Sequence, residues 1–290
     1  MLLFKSSRRT FLATAAAALA APALTESPAF AGAPPQKSTG AGGLKIGLAT
    51  YSMRKFSLDQ TLDLLKEMKV QYANFKDVHL PRTDSLETMK ANRQKIEAAG
   101  ITIMGGGTIT WNNDNEAEIR KDFEYAKAYG FPAIICSPNP QAIGTIEKLV
   151  KEYDIKIAIH NHGPEDKWYP TPKEVLAVVK NRDPRLGSCM DIGHATRGGA
   201  DIVDMVKLLG TRLIDIHSKD LASKTARDSQ VEVGKGVLDI PGLFRALLRE
   251  KFAGHVGLEY EINADSPQVG IKESVAYERG VTAALVSATT

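Results

Sequence analysis

Ile155-Lys156-Ile157-Ala158-Ile159-His160 is a short apolar run that ends in a histidine, and two comparable runs follow it, Leu186–Asp191 and Leu213–His217. Runs of this length and composition are typical of buried β-strands. Outward from these three, five more runs of the same kind are predicted as strands: Leu44–Thr50, Tyr72–Lys76, Ile101–Gly105, Ala133–Cys136 and Val256–Glu259. The chain therefore contains eight predicted strands.

The segments between these strands have the spacing of amphipathic helices, as in Leu58, Leu62, Leu65 and Met68. Helix N-caps are predicted at Ser57 and Ser85, and helix ends at Gly100 and Gly130. Ile271–Ala284 is predicted as the helix that closes the ring.

Strict alternation of strands and helices requires a parallel sheet with right-handed crossovers. Eight such units favour a closed (β/α)₈ TIM barrel of class α/β, folded as a single domain. An open, doubly wound sheet is the alternative. Gly105-Gly106-Gly107 has no spaced third glycine and no helix start after it, so it is predicted to be a loop and not a dinucleotide-binding turn.

The first 31 residues have the features of an export signal. Arg8-Arg9 precedes an alanine-rich apolar run, and Ala29-Phe30-Ala31 supplies the small residues of a cleavage site. The paired arginines predict a twin-arginine signal over residues 1–31. A flexible linker over 32–43 and a barrel over 44–290 are then expected, in an exported protein that is periplasmic or secreted.

The charge and the cysteines narrow the function classes. The formal charge of +3 falls to +1 when the three basic residues and one acidic residue of the leader are removed, so no nucleic acid is expected as a partner, and no membrane after signal cleavage. Cys136 and Cys189 each end a predicted strand and are expected to be core residues, although a bridge between them is left open.

Five of the six histidines lie at or just after the carboxyl end of a predicted strand, where the active site of such a barrel lies: His79, His160, His162, His194 and His217. Asp191 and Glu259 end the sixth and eighth strands. Imidazole and carboxylate at short range are what a divalent metal needs. Alternation along the last strand points Glu259 into the barrel mouth and leaves Glu261 as a solvated loop acid.

Four motifs carry a resemblance: D-x-G-H at Asp191–His194, H-x-K-D at His217–Asp220, G-x-G at Gly234–Gly236, and the acid Glu259. Together they resemble the xylose isomerase-like family of sugar isomerases and epimerases. The resemblance implies one divalent ion (Mn²⁺, Zn²⁺, Co²⁺ or Mg²⁺) held by a glutamate, an aspartate, a histidine and a second glutamate. Asp191, His217 and Glu259 match the last three ligands, and His194 matches a substrate contact.

His160 stands where the family has its first glutamate, as a ligand or as a base, with His162 beside it for the other role. A metal-bound nitrogen cannot also accept a proton, so simple two-glutamate epimerisation is disfavoured. We expect proton abstraction alpha to a carbonyl of a non-phosphorylated sugar or keto-sugar, with Glu259 or the His160–His162 pair as base. Isomerisation, elimination and hydration are all left open.

Further substrate contacts are expected on the same face: Lys76, His79, Trp111, Arg197 and Lys219. A salt-bridged rim is the alternative for Lys76, and packing between loops is the alternative for Trp111.

A small carbohydrate is the expected partner, and a homo-oligomer is left open. A non-catalytic carbohydrate-binding barrel is the second hypothesis for the function. A metal nuclease of the abasic-site type is the third, and it is disfavoured because Met104–Gly107 supplies no extra metal ligand.

Overall fold

The computed structural model describes residues 43–288 of the 290-residue chain. The predicted signal peptide (1–31) and all but the last residue of the predicted linker (32–43) lie outside the described residues. Among residues 43–288, none of the helices has the length and hydropathy needed to cross a bilayer.

Eight parallel strands close into a barrel, in the order β1-β10-β7-β6-β5-β4-β3-β2. The barrel strands are β1 (Lys45–Ala49), β2 (Tyr72–Phe75), β3 (Thr102–Trp111), β4 (Ala133–Pro138), β5 (Lys156–His160), β6 (Leu186–Asp191), β7 (Leu213–Ser218) and β10 (His255–Leu258). Two short strands, β8 (Asp220–Leu221) and β9 (Gln230–Val231), form an antiparallel pair beside it. The (β/α)₈ prediction is confirmed, and the open-sheet alternative is wrong.

The helices connect successive barrel strands and cover the outside of the barrel. They are α1 (Leu58–Glu67), α2 (Leu86–Ala98), α3 (Glu116–Tyr129), α4 (Ile143–Tyr153), α5 (Pro172–Val179), α6 (Ile192–Arg197), α7 (Ile202–Leu209), α8 (Ile240–Arg249) and α9 (Gln268–Ser287). Short 3-10 turns occupy Thr50–Met53, Pro140–Ala142 and Gly210–Arg212.

The predicted helix ends are confirmed by hydrogen bonds and backbone geometry. The Ser57 side chain accepts a hydrogen bond from the backbone N–H of Gln60, and the Gln60 side chain returns one, which completes a capping box. Ser85 caps α2 by accepting from the backbone of Thr88. Gly130 ends α3 with φ +74°, a left-handed conformation that favours glycine.

The predicted loop at Gly105–Gly107 is wrong, because β3 continues through it to Trp111. A Cβ on Gly105 would lie 2.9 Å from the Ala133 carbonyl oxygen, and one on Gly106 would lie 1.9 Å from the Phe131 ring. These glycines therefore allow β3 to pack closely against β4 and against Phe131, which precedes β4. Allowing another backbone to approach closely is a known role of glycine inside strands.

Most of the apolar core lies between the strands and the helices, and a smaller cluster lines the barrel interior: Ala133, Ile135, Ala158 and Cys189, with Ile214 against it. Cys136 and Cys189 are both free and fully buried, as predicted for core residues. Burial raises the pKa of both thiols well above its ordinary value.

Candidate metal centre

Four side chains converge at the carboxyl ends of β5, β6, β7 and β10: His160, Asp191, His217 and Glu259. Each offers one nitrogen or oxygen atom, and these four atoms all lie within 4.8 Å of one another. All four side chains are buried, with at most 8% of each residue exposed. The structure therefore brings together the whole predicted ligand set.

The shortest contacts in this cluster join donor atoms at the ends of different strands of the barrel. His160 Nε2 lies 3.0 Å from His217 Nδ1 and 3.6 Å from Asp191 Oδ2. His217 Nδ1 lies 3.2 Å from Glu259 Oε2. Parallel pairing of Asp191 with His217 across β6 and β7 sets two of the donors side by side.

The donor atoms of this cluster are of the kinds that bind a divalent ion. Asp191 Oδ2 is buried, faces His160 Nε2 and forms no hydrogen bond within residues 43–288, where its charged contact is the Lys219 ammonium at 2.9 Å. A buried carboxylate oxygen without a hydrogen bond is uncommon in proteins, and a bound ion would account for it. Two imidazoles and two carboxylates form a mixed nitrogen and oxygen set suited to Mn²⁺-, Co²⁺- or Zn²⁺-like ions.

Lys219 enters the same cluster and is only 2% exposed. Its Nζ lies 2.9 Å from Asp191 Oδ2, 3.1 Å from Glu259 Oε2 and 2.5 Å from Glu261 Oε2. Glu261 follows the last strand with 38% of its side chain exposed, as predicted for a loop acid, and it also reaches the cluster through this lysine. Three carboxylates and one ammonium leave a net negative site when the histidines are neutral, which attracts a cation.

The buried charges shift one another's ionisation. Burial lowers the pKa of His160 well below its ordinary value, and the neighbouring histidines lower it further. Burial also acts to lower the pKa of His217, but the Glu259 carboxylate outweighs it and raises that pKa to about 8. Burial acts to raise the pKa of Glu259, whereas His217 and Lys219 hold it well below the usual range. His160 is therefore the neutral imidazole of the pair.

Asn161 fixes Asp191, a role that the sequence analysis missed. Its side-chain Nδ2 donates to the Asp191 carbonyl and its Oδ1 accepts from the Asp191 backbone N–H, both at 3.0 Å. Asp191 Oδ1 in turn caps α6 by accepting from the backbone of His194 at 2.7 Å. Oδ1 is thus occupied by the helix cap, and Oδ2 is left facing the cluster. The sequence signal for this role was the position of Asn161 between the candidate histidines His160 and His162.

The last residue of the H-x-K-D motif has a structural role. Asp220 Oδ2 accepts from the backbone N–H groups of Gly234 and Gly236, at 2.9 and 3.1 Å. A Cβ on Gly236 would lie 2.1 Å from Asp220 Oδ1, so a larger residue does not fit there. The motif therefore ties the G-x-G loop to β8, beside the cluster.

His162, His194 and Arg197 lie at the rim of the cluster. The rings of His160 and His162 have centroids 4.4 Å apart, and His194 lies about 6 Å from both. His162 Nδ1 contacts Asp166 Oδ2 at 3.3 Å, and Arg197 Nη1 contacts His194 Nδ1 at 3.2 Å. Both rim histidines are partly exposed, which places them where a bound molecule would lie.

His79 and Trp111 are held by protein contacts and are not brought to the cluster. His79 is 4% exposed, and its ring nitrogens contact the hydroxyls of Thr50 and Thr61. Trp111 is 5% exposed, and its indole N–H donates to Asp122 at 2.7 Å. These contacts support structural roles for both side chains, and their predicted contacts with substrate stay predictions.

Lys76 is half-buried on the catalytic face, and its Nζ donates to the Thr108 carbonyl at 2.9 Å. It also lies 5.9 Å from the centre of the Tyr51 ring. Within residues 43–288 this lysine contacts a carbonyl and a ring and forms no salt bridge, which does not favour the salt-bridged rim that was its alternative. His255 lies in the barrel interior, where its Nδ1 contacts Asp215 Oδ1 at 3.1 Å.

Comparison with known proteins matches this chain to one family. The family model described as xylose isomerase-like TIM barrel matches residues 62–279, which is most of the chain. An inosose dehydratase of Mesomycoplasma hyopneumoniae is 28% identical over 138 residues, covering 42% of this chain and 45% of that protein. The chain thus matches less than half the length of this curated relative.

Two solved structures show the same fold over nearly their whole length. A putative uncharacterised protein of Parabacteroides distasonis is 27% identical, with a TM-score of 0.65, covering 83% of this chain and 99% of that chain. An IolI protein with a bound zinc atom is 17% identical, also with a TM-score of 0.65, covering 84% of this chain and 98% of that chain.

Proposed function

Because the chain belongs to the xylose isomerase-like TIM barrel family, we propose that it is a divalent-metal-dependent enzyme acting on a non-phosphorylated sugar or keto-sugar. The reaction would begin by removing the proton next to a carbonyl and continue to elimination of water. The observation that carries the proposal is the buried His160–Asp191–His217–Glu259 cluster with partly exposed histidines directly above it.

The four buried side chains would hold the ion, and the rim side chains would handle the substrate. His160 belongs with the ligands because it is 2% exposed and its Nε2 faces Asp191 and His217. A bound divalent ion would supply Lewis acidity toward the carbonyl oxygen of the substrate.

The base is assigned to His162. Its side chain is 37% exposed and its ring adjoins that of His160. Asp166 contacts its Nδ1, which leaves Nε2 for the substrate. Burial lowers its pKa, so it is neutral at pH 7 and able to accept a proton.

The proposed steps conserve atoms and electrons. Nε2 of His162 accepts the proton alpha to the carbonyl, and the C–H electron pair becomes part of an enolate. The carbon–oxygen bond at the beta position then breaks, and the departing hydroxide takes the proton back from His162 as water. For an alpha-hydroxy carbonyl compound, transfer of the hydroxyl proton to the enolate oxygen and return of the His162 proton to the former carbonyl carbon would instead give isomerisation.

Elimination of water is placed first because of two findings. A relative that matches 42% of this chain is an inosose dehydratase. The chain also has His160 where the resemblance leads one to expect a glutamate, which removes one of the two acids that a symmetric epimerisation would use.

The test is solvent deuterium exchange followed by NMR. Purified protein reconstituted with Mn²⁺, Zn²⁺, Co²⁺ or Mg²⁺ is incubated in D₂O with inosose, keto-sugars and 3-keto-glycosides. We expect loss of the alpha proton signal and, for at least one substrate, an unsaturated product. A metal-loaded protein that binds these compounds without exchanging a proton would instead support a carbohydrate-binding barrel.

A further inference from the structure

We propose that the loop after β5 fixes His162 and His194 in opposite tautomers, which makes one rim imidazole a proton acceptor and the other a hydrogen-bond donor. This deepens the proposed function and rests on it for its chemical meaning. The tautomers themselves follow from the contacts of Glu165, Asp166 and Arg197.

The partner of His162 is an acceptor. Asp166 Oδ2 lies 3.3 Å from His162 Nδ1, and an ionised carboxylate can only accept hydrogen bonds. Nδ1 of neutral His162 therefore carries the proton. Its Nε2 keeps a lone pair, as a base requires.

The partner of His194 is a donor. Arg197 Nη1 lies 3.2 Å from His194 Nδ1, and a guanidinium has no acceptor and stays protonated. Nδ1 of neutral His194 must therefore be the acceptor, and the ring proton is on Nε2. No group within residues 43–288 hydrogen-bonds to that Nε2–H, so a substrate oxygen can receive it.

Neither partner is free to reorient. Arg197 is anchored by the Glu165 carboxylate, and its side chain is only 5% exposed. Asp166 uses its second oxygen, Oδ1, to accept from the backbone N–H groups of Trp168 and Tyr169, at 2.8 and 3.1 Å. The same short loop thus holds one carboxylate against His162 and one against Arg197.

Gly163 closes this arrangement from the β5 side. Its φ is +84°, and a Cβ there would lie 3.2 Å from Arg197 Nη1 and 3.4 Å from His194 Nδ1. The left-handed backbone favours glycine at this position, and a Cβ would crowd the Arg197 guanidinium by a few tenths of an ångström.

The opposite tautomers give the two histidines different chemical roles. Their ring centroids are 6.0 Å apart. His162 can take the alpha proton. His194 donates a hydrogen bond to a substrate oxygen but does not give its proton away, because the loss would leave an anionic ring. The site therefore recognises an acceptor oxygen close to an acidic C–H, as in an alpha-hydroxy or beta-hydroxy ketone.

The experiment reads the ring nitrogens directly by two-bond ¹H–¹⁵N correlation NMR of histidine-labelled protein, metal-free and with Zn²⁺. The spectra are recorded about two pH units above the ordinary imidazole pKa of about 6.5, where a free imidazole is neutral. We expect protonated Nδ1 in His162 and protonated Nε2 in His194. Wild-type protein with the same tautomer at both positions would overturn the proposal.

Two variants serve as controls for each other. Asp166→Asn keeps an oxygen for the Trp168 and Tyr169 backbone and presents an NH₂ group to His162, so His162 should change to the Nε2–H tautomer while His194 stays unchanged. Arg197→Met should release His194 to a mixture of both tautomers and leave His162 unchanged. A variant that leaves its own histidine unchanged contradicts the proposal.

A charge-swapped protein covers the case in which Arg197→Met fails to fold. Glu165→Arg with Arg197→Glu keeps the ion pair but presents a carboxylate to His194, which should then carry its proton on Nδ1. Deuterium exchange is measured in parallel. Correct tautomers without exchange in any substrate would refute the proposed reaction alone, whereas exchange with unfixed tautomers would refute this inference alone.

Discussion

The ammonium group of Lys219 lies 2.9 Å from Oδ2 of Asp191, and both side chains are almost completely buried. That oxygen forms no hydrogen bond within the described residues, so the ion pair is what balances its charge. The same oxygen faces His160 and belongs to the proposed ligand set. A divalent ion bound by the proposed ligand set would therefore compete with Lys219 for Asp191.

Lys219→Met should increase the affinity for Mn²⁺ or Zn²⁺ by at least about tenfold, which is about 1.4 kcal/mol. Two unit charges about 4 Å apart interact by about 4 kcal/mol at an effective dielectric constant of about 20, so the expected change is a modest part of that term. Isothermal titration calorimetry measures it. Lys235→Met removes an exposed lysine paired with Glu232 and Glu273 and should change nothing. Equal or weaker binding by Lys219→Met would show that the lysine supports the ion instead of competing with it.

Asp191→Asn should lose most of the bound metal while the fold is kept. Asparagine retains an oxygen that can accept from the His194 backbone and cap α6, so the substitution removes mainly the charge. Metal content after dialysis and circular dichroism give the two readouts. Asp201→Asn is the matched control because Asp201 caps α7 in the same way and takes no part in the cluster. Full metal content in Asp191→Asn would exclude this residue as a ligand.

Glu278 should make the protein less stable as the pH rises. Burial raises its pKa to about 8, and the 2.6 Å hydrogen bond from the Ser218 hydroxyl only partly offsets this. The folded pKa is above the unfolded value of 4.5, so the folded state holds the proton more tightly. The contribution is complete below about pH 4.5 and is lost as the pH rises through about 8, by up to about 1.4 kcal/mol per pH unit.

Glu278→Gln should remove that slope and raise the free energy of unfolding at pH 8. Urea unfolding measures the free energy of unfolding at several pH values, over about two pH units on either side of neutrality. Glu273→Gln changes an exposed glutamate on the same helix and should leave the slope in place. A wild-type protein whose stability is constant over this range would contradict the assignment.

Export stays a prediction that rests on the sequence alone. If the leader is a twin-arginine signal, the mature chain should begin near Gly32, after Ala29-Phe30-Ala31. N-terminal sequencing of periplasmic protein tests the cleavage site. Changing Arg8 and Arg9 together to lysine should abolish export, and unchanged export would refute the twin-arginine assignment.

The barrel could be predicted because its strands are short and apolar, and six of the eight predicted ranges agree with the structure to within one residue at each end. The carboxyl ends of β3 and β4 could not be predicted in the same way. Glycine runs usually break strands, and only the packing of Gly105 and Gly106 against neighbouring chain segments explains why β3 continues.

The cluster of candidate metal ligands could be predicted because the carboxyl ends of parallel barrel strands meet at one face. The roles of Asn161, Glu261 and Asp166 could not be predicted from the sequence. Each acts through a contact with a residue from another position, and no periodicity encodes that distance. His79 and Trp111 show the converse, since residues on the correct face can still be buried by packing.

Removal of His160 and removal of His162 should differ in their effect on metal binding. His160→Ala should lose bound metal and, with it, proton exchange, because the side chain is buried among the other donors. His162→Ala should keep the metal and lose exchange by the factor of about 10²–10⁴ that is typical of a missing general base. Metal analysis and deuterium exchange on both variants separate ligand from base.

His160→Glu gives the sharpest form of this test. Glutamate would restore the carboxylate that the resemblance places at this position, so the variant should bind metal while its added negative charge alters the reaction. Wild-type exchange in His160→Glu would show that the imidazole has no special role. If His160→Ala keeps its metal but loses exchange, the assignments of His160 and His162 must be reversed, and the imidazole deepest in the barrel mouth is then the base.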